Sequence, residues 1–283
     1  LLEHQTVQDT LLHLKTGISY AAARERALYA RVKEKAGILQ KPNNILAVEY
    51  CKALIRRESG VNVLPIPRVG AGHDEGAEGE YASASHIREL LREGQFDQAL
   101  PYLPESTAVI LREAMESGQA LINQSRLENA MLSALVRLTA EDLAALPDAN
   151  EGLDNRLLEA IRKGRTIEDI CAQAKTKRYA LSRIRRMVFC AWLGITRQEA
   201  ETAPPYVRVL AFSDKGREVL KAARKQATLP LITKPAHAFD LGGDARVIFE
   251  REALACDLYH LALPCWKDLR WGDDWRQDTI YVK

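Results

Sequence analysis

The chain has 283 residues, 47% apolar and 28% charged, a balance that suits one large or two ordinary soluble globular domains and excludes a disordered or fibrous polymer. No run approaches the ~18 apolar residues that span a bilayer, so no membrane association is expected. Its net charge of +2 excludes a uniformly basic or acidic protein. Five cysteines, odd in number and without a C-x-x-C pair, read as scattered reduced thiols of a cytoplasmic protein. The six histidines do not cluster, and no metal site is expected. The opening Leu1-Leu2-Glu3-His4 lacks an initiator Met and starts inside an amphipathic stretch, so the natural amino terminus is expected to be missing.

In chain order, a helix is expected from Tyr20 to Lys35, capped by Ser19 and stopped by Gly37. Lys41-Pro42-Asn43-Asn44 is a turn that supplies an N-cap, and the helix after it carries Val48, Cys51, Leu54 and Ile55 at helical spacing, to end at Ser59-Gly60. Val61 to Val69 alternates like a strand, with two prolines placing it near an edge or end. Residues 70–81, with four glycines and four acids, read as an exposed loop, and a helix restarts over 82–93. Beyond residue 100 helices follow at about 105–118, 125–137, 140–146, 151–163, 167–174 and 180–193, with capping-box signals at Thr139 and Thr166 and stops at Gly164 and Gly194. Tyr206–Phe212, Lys215–Lys225 and Leu229–Thr233 form a compact β-α-β pattern, and a last helix is expected over 245–261. The tail, with Trp266, Trp271 and Trp275, reads as irregular.

Three segments carry chemistry, and each has a bland counterpart. Asn43 and Asn44 can cap their own helix, or leave one amide for a ligand. Pro67-Arg68-Val69-Gly70-Ala71-Gly72 places an Arg and a glycine-rich loop at the carboxy end of a strand, where α/β sheets hold ligands; it is equally an ordinary glycine turn. Ser83-Ala84-Ser85-His86-Ile87-Arg88 is expected to put Ser85 near the N-cap and Arg88 in the first turn, where the macrodipole disfavours a cation unless an anion is bound. Otherwise it is a capped helix with a solvated Arg.

Charge is also concentrated. Residues 156–197 hold eleven basic residues against three acidic, a local excess of +8 on a near-neutral chain. Lys175, Lys177, Arg178, Arg183, Arg185 and Arg186 are candidate phosphate contacts, with Tyr179 free to stack on an unpaired base. If the helix reaches back to Arg178, then Arg178, Arg185 and Arg186 share one side. A solvated basic face is the alternative.

Five ordered segments together resemble the bacterial tRNA(Met) cytidine acetate ligase family: KPNNILAVEYCKAL (41–54), PIPRVGAGHDE (65–75), ASASHIREL (82–90), KTKRYALSRIRRMVFCAWLGI (175–195) and PPYVRVLAFSDKGREVL (204–220). The resemblance implies an α/β fold: the carboxy-terminal part of a Rossmann-like nucleotidyltransferase domain over residues 1–100, then a mainly helical region over 101–283 with a small β-α-β element. It implies activation of acetate by ATP, with Mg2+, to acetyl-adenylate, and transfer to the wobble cytidine of elongator tRNA(Met), without DNA. By motif it assigns ATP contacts to Asn43, Arg68, Val69, Ser83, Ser85 and Arg88, and tRNA contacts to the 175–186 stretch. The family's H-x-G-H motif occurs nowhere in this chain. No catalytic residue is therefore assigned. The motif is expected in a lost segment of roughly a hundred residues, and the 283 residues alone are expected not to catalyse adenylation. GAGHDE is one residue shorter than the family's usual form, which leaves the role of His73 open. Other classes consistent with the residues are a small-molecule adenylyltransferase, which has no use for the basic stretch, and a non-catalytic RNA-binding homologue.

Overall fold

The structure, a computed structural model, describes residues 2–18, 20–67, 76–79 and 81–282. The chain divides into two compact units, residues 1–86 with 175–180, and residues 87–174 with 181–283.

In the first unit, α1 (Leu2–Leu14) packs on α2 (Tyr20–Val32), followed by a 3-10 segment (Lys33–Gln40) and α3 (Pro42–Arg56). Small buried residues, Ala23, Ala27 and Ala36, let the backbones approach closely. Ion pairs tie the helices: Arg31 to Asp9 at 2.7 Å, and Arg24 to Glu49 at 2.5 Å. The Arg24 and Lys52 side chains bonded to Glu49 hold its carboxyl below the usual range. The expected stop at Gly37 is corrected: the α-helix ends earlier, at Val32, because Lys33 adopts a positive φ of 50°. The tighter 3-10 period then buries Ala36 and Leu39, three residues apart. The expected strand is corrected too. Residues 61–67 are irregular, and Val61, Val63, Leu64 and Ile66 are exposed. A strand exists only against a partner, and none pairs with this segment among the described residues. Within the expected loop a short hairpin forms from β1 (Ala77–Glu78) and β2 (Tyr81–Ala82).

Helix α4 (Ala84–Arg92) leads into the second unit. There it packs, through Leu90 and Leu91, with α5 (Phe96–Ala99) and α6 (Glu105–Glu116). Then come α7 (Glu128–Leu135), α8 (Ala140–Ala144), α9 (Leu153–Lys163), α10 (Ile167–Ala174), α11 (Leu181–Leu193) and α12 (Arg197–Glu201). Their apolar stripes supply the fully buried Met131, Leu135, Leu143, Leu157, Ile170, Ile184 and Met187. Burying one such side chain contributes ~1.5–3 kcal/mol. Thr139 and Asp142 form the reciprocal box their spacing predicts. At Thr166 only half forms: its hydroxyl accepts the Asp169 N–H at 3.0 Å, while the Asp169 carboxylate takes the Arg165 N–H. Thr196 and Glu199 make a further box at α12.

The β-α-β element is real but short. β3 (Val207–Arg208) pairs in parallel with β5 (Leu231–Ile232) across α13 (Asp214–Ala223). β4 (Ala211–Phe212) pairs in parallel with β6 (Ile280–Tyr281), so the irregular tail returns to this element. Helix α14 (His237–Leu241) and α15 (Gly243–His260) cover it, with Phe249 at the centre of the local core. No helix among the described residues is long and apolar enough to cross a membrane.

The two expected glycine stops work by different means. Gly194 has a φ of +69°, a left-handed cap that L side chains rarely adopt. Gly164 has φ −72°, open to any residue, but a Cβ there would lie 2.5 Å from Ile170 Cγ1 and 3.0 Å from the Ala160 carbonyl oxygen. Gly164 therefore permits the close α9–α10 turn by having no side chain. Gly164→Ala is expected to lower stability by ~1–3 kcal/mol through overpacking, read as a lower urea midpoint with unchanged slope.

Candidate nucleotide site and basic surface

Pro42 decides the local geometry of the first segment. With no N–H and a fixed φ it occupies the first helical position of α3, so Lys41 becomes the N-cap and makes no side-chain cap bond. Asn43 and Asn44 thus lie inside the first turn and do not cap it, a correction to the expected N-cap. Asn43 is exposed. Its amide stands at a helix amino terminus, where backbone N–H groups point outward and the dipole favours an anion.

Arg68 and Val69 lie outside the described residues, as does His73. Beyond them Ser83, 1% exposed, is the residue that caps α4: its Oγ accepts the His86 N–H at 3.2 Å, and its own N–H donates to the Gly76 carbonyl at 2.9 Å. The expected assignment of Ser85 to the cap is corrected accordingly. Ser85 sits half-buried in the first turn, and Arg88 is the fifth residue of the helix, exposed. The macrodipole acts within the first turn, so the penalty argued for Arg88 is small, and no bound anion is needed to explain it.

The basic stretch sorts into two groups. Lys175, Lys177 and Arg178 are exposed on a turn in which the Thr176 hydroxyl accepts the N–H groups of Arg178 and Tyr179 at 3.1 and 3.2 Å. Helix α11 starts at Leu181, so Arg178 is not on it, and the expected shared helical face with Arg185 and Arg186 is withdrawn. Tyr179 is 7% exposed, which leaves its ring no open face for a base; this too corrects the reading from sequence.

On α11, Arg185 is exposed and makes no ion pair among the described residues. Arg186 is exposed but bonded to Asp148, Nη2 to Oδ2 at 2.6 Å and Nε to Oδ2 at 2.7 Å. Arg183 is a clamp. It donates to the Asp148 carbonyl at 3.0 Å, to Glu151 Oε2 at 3.2 Å and to Asn150 Oδ1. Three more of the eleven cations hold carbonyls: Arg156 those of Gln173 and Ala174, Arg162 those of Val136 and Leu138, Arg197 those of Ala144 and Ala149. A guanidinium's planar fork fits such carbonyl pairs, so these cations keep their charge but have N–H groups already engaged. Burial raises the thiols of Cys171 and Cys190 above the ordinary range, which keeps both protonated and inert.

The feature missed from sequence is a buried pair in the second unit. Arg208 on β3 bonds both carboxylate oxygens of Asp274 at 2.7 and 2.8 Å, 66 positions away, and lies 4.9 Å from the Phe249 ring centroid. No local pattern announces a partner at that separation.

The sequence model described as HIGH Nucleotidyl Transferase matches residues 2–270. The tRNA(Met) cytidine acetate ligase of Fervidobacterium nodosum is 32% identical over 275 residues, 89% of this chain and 64% of that protein. The enzyme of that name from a Thermoanaerobacter species is 34% identical, covering 88% of this chain and 63% of its own. For Thermosipho africanus the values are 31%, 99% and 72%. The chain thus spans just under two thirds of the first two relatives' length. Among solved structures, apo Thermotoga maritima TmcAL superposes with a TM-score of 0.89 at 25% identity, covering 99% of this chain and 71% of that one. The same protein bound with alpha-thio ATP superposes with a TM-score of 0.86 at 25% identity, covering 99% and 70%. The mostly helical architecture with few strands is therefore the nucleotidyltransferase-like α/β fold. The chain belongs to the HIGH nucleotidyl transferase family, among the tRNA(Met) cytidine acetate ligases.

Proposed function

We propose that the protein is an ATP-dependent ligase that acetylates the wobble cytidine of elongator tRNA(Met) in the cytoplasm. The observation that carries this reading is the superposition of 99% of the chain on TmcAL bound with alpha-thio ATP, together with 31–34% identity to ligases of that name. The substrates are ATP as its magnesium complex, acetate and tRNA(Met).

In the first step an acetate oxygen attacks the α-phosphorus of ATP. A P–O bond forms, the α–β bridge breaks and pyrophosphate leaves with the electron pair. In the second, the N4 amine of cytidine attacks the acetyl carbonyl, the C–O bond to AMP breaks, and the amine gives up a proton. The nucleophile belongs to the RNA, so the protein's task is positioning and charge stabilisation. Asn43 at the start of α3, and Arg68 and Val69 in the glycine-rich loop, are the proposed ATP contacts. Ser85 and Arg88 are proposed to face the phosphates, with Ser83 fixing the start of their helix. Lys175, Lys177, Arg178 and Arg185 are the proposed cations for tRNA phosphates, joined by Arg186 where phosphate displaces Asp148.

The test is enzymatic. The full-length gene product is incubated with ATP, labelled acetate and unmodified tRNA(Met), and the RNA is digested to nucleosides. Labelled N4-acetylcytidine and stoichiometric AMP are expected. Absence of both the acetylated nucleoside and acetyl-adenylate would sink the reading.

A further inference from the structure

The tail holds three of the four tryptophans, and they are not used alike. Trp275 is core: its ring stacks on Phe239 at 4.3 Å and tilts onto Phe249 at 4.4 Å. Trp271 is 57% exposed, and its indole N–H has no acceptor among the described residues. Tryptophan is highly buried on average, so an exposed one needs a reason.

Flexibility is not the reason, because the turn beneath Trp271 is tied on both sides. The Gly272 N–H donates to Asp257 Oδ1 on α15 at 2.8 Å, and the Trp275 N–H donates to the Gly272 carbonyl at 3.1 Å. Arg276 Nη1 donates to the Trp271 carbonyl at 2.9 Å. Gly272, at φ +72°, makes the turn possible. The buried Trp275 ring then anchors its far end. The backbone that carries this large flat apolar ring is therefore fixed, with little main-chain entropy left to lose on binding.

Its neighbours select the partner. Arg270, its chain neighbour, and Arg276, bonded to its carbonyl, are exposed beside it, while Lys267 lies over the Trp266 ring, 5.7 Å from its centroid. Of the nearby acids, Asp274 is neutralised by Arg208 at 2.7 Å, and Asp273 accepts from the Arg270 N–H at 3.3 Å and faces Arg276 at 3.5 Å. Asp268 is left open within residues 266–276, and Asp257 on α15 is bonded only to the Gly272 N–H among the described residues. An aromatic face flanked by cations fits an unpaired nucleobase with its phosphates, since every base has a π-face. We infer that Trp271 is a stacking platform for an unpaired base of the RNA substrate, with Arg270 beside the adjoining phosphate, joined by Arg276 where phosphate displaces Asp273. This rests on the tRNA reading above and adds to it a contact outside the 175–186 stretch.

The test uses a labelled anticodon stem-loop of tRNA(Met), which has unpaired bases, and a fully paired RNA duplex of equal charge. Binding of the full-length gene product is followed by anisotropy over a range of salt. Trp271→Ala is expected to weaken stem-loop binding roughly tenfold with an unchanged salt slope and unchanged duplex binding. Trp271→Phe should keep most of the affinity while losing the RNA-induced quenching of indole fluorescence. Arg185→Ala, by contrast, should flatten the salt slope by about one unit on both RNAs. Stem-loop binding by Trp271→Ala equal to the parent's, or quenching that survives in Trp271→Phe, overturns the stacking role and leaves the tRNA reading standing. Failure of the parent to bind either RNA overturns both.

Discussion

Arg208→Ala is expected to destabilise the second unit by ~3–5 kcal/mol, the largest single effect among the stability variants considered. The pair with Asp274 is bidentate, and the two side chains are only 19% and 11% exposed. Removing the guanidinium leaves a largely buried carboxylate without its two charge-assisted bonds. The direction of the Arg208 shift agrees: the Asp274 carboxylate holds the guanidinium even more firmly protonated than usual, against the opposing effect of burial. The damage extends beyond the pair. Arg208 belongs to β3 and Asp274 to the Asp273–Trp275 turn, so the contact fastens the tail to the β-α-β element. The tail carries β6 and the Trp271 turn. Urea unfolding should show a lower midpoint, and limited proteolysis should cut the tail first. Arg208→Met combined with Asp274→Leu should recover much of the loss, because desolvating the pair offsets most of its attraction. If Arg208→Ala unfolds at the parental midpoint, the pair is not the fastening.

Arg68→Ala is expected to slow acetyl-adenylate formation by roughly 10²–10³-fold, the effect typical of losing one oriented donor to developing charge. Negative charge accumulates on the leaving pyrophosphate, and the Arg68 guanidinium is the group proposed to stabilise it. The variant should bind tRNA(Met) with parental affinity, since the proposed tRNA cations lie elsewhere. Pyrophosphate release without tRNA isolates the step in the full-length gene product. An unchanged rate would remove Arg68 from the site; an equal loss in tRNA binding would make its role structural.

Much of the helical series was legible because its information is local. Apolar spacing, a Thr with an acid three residues on, and a glycine after the last turn all lie within a few turns, and α6 to α11 appear where those signals place them. The errors have equally definite causes. Val61 to Ile66 alternates correctly, but alternation describes a face, and a strand also needs a neighbour. Asn43 seemed a cap until Pro42 claimed the first helical position. Ser85 is the cap the sequence suggests, but the Gly76 carbonyl and the His86 N–H meet at Ser83.

The amino-acid sequence by itself determined the order of the helices, the β-α-β crossover and the family. Only the tertiary structure decided which cations are engaged by the protein's own carbonyls. It turned Arg156, Arg162, Arg183 and Arg197 onto carbonyls, kept Arg185 outside, buried Tyr179 and brought out Trp271. The physical reason is range. Periodicity and capping act between residues a few positions apart, whereas Arg183 finds its carbonyl 35 positions away and Arg208 its carboxylate 66 positions away, distances at which composition carries no signal.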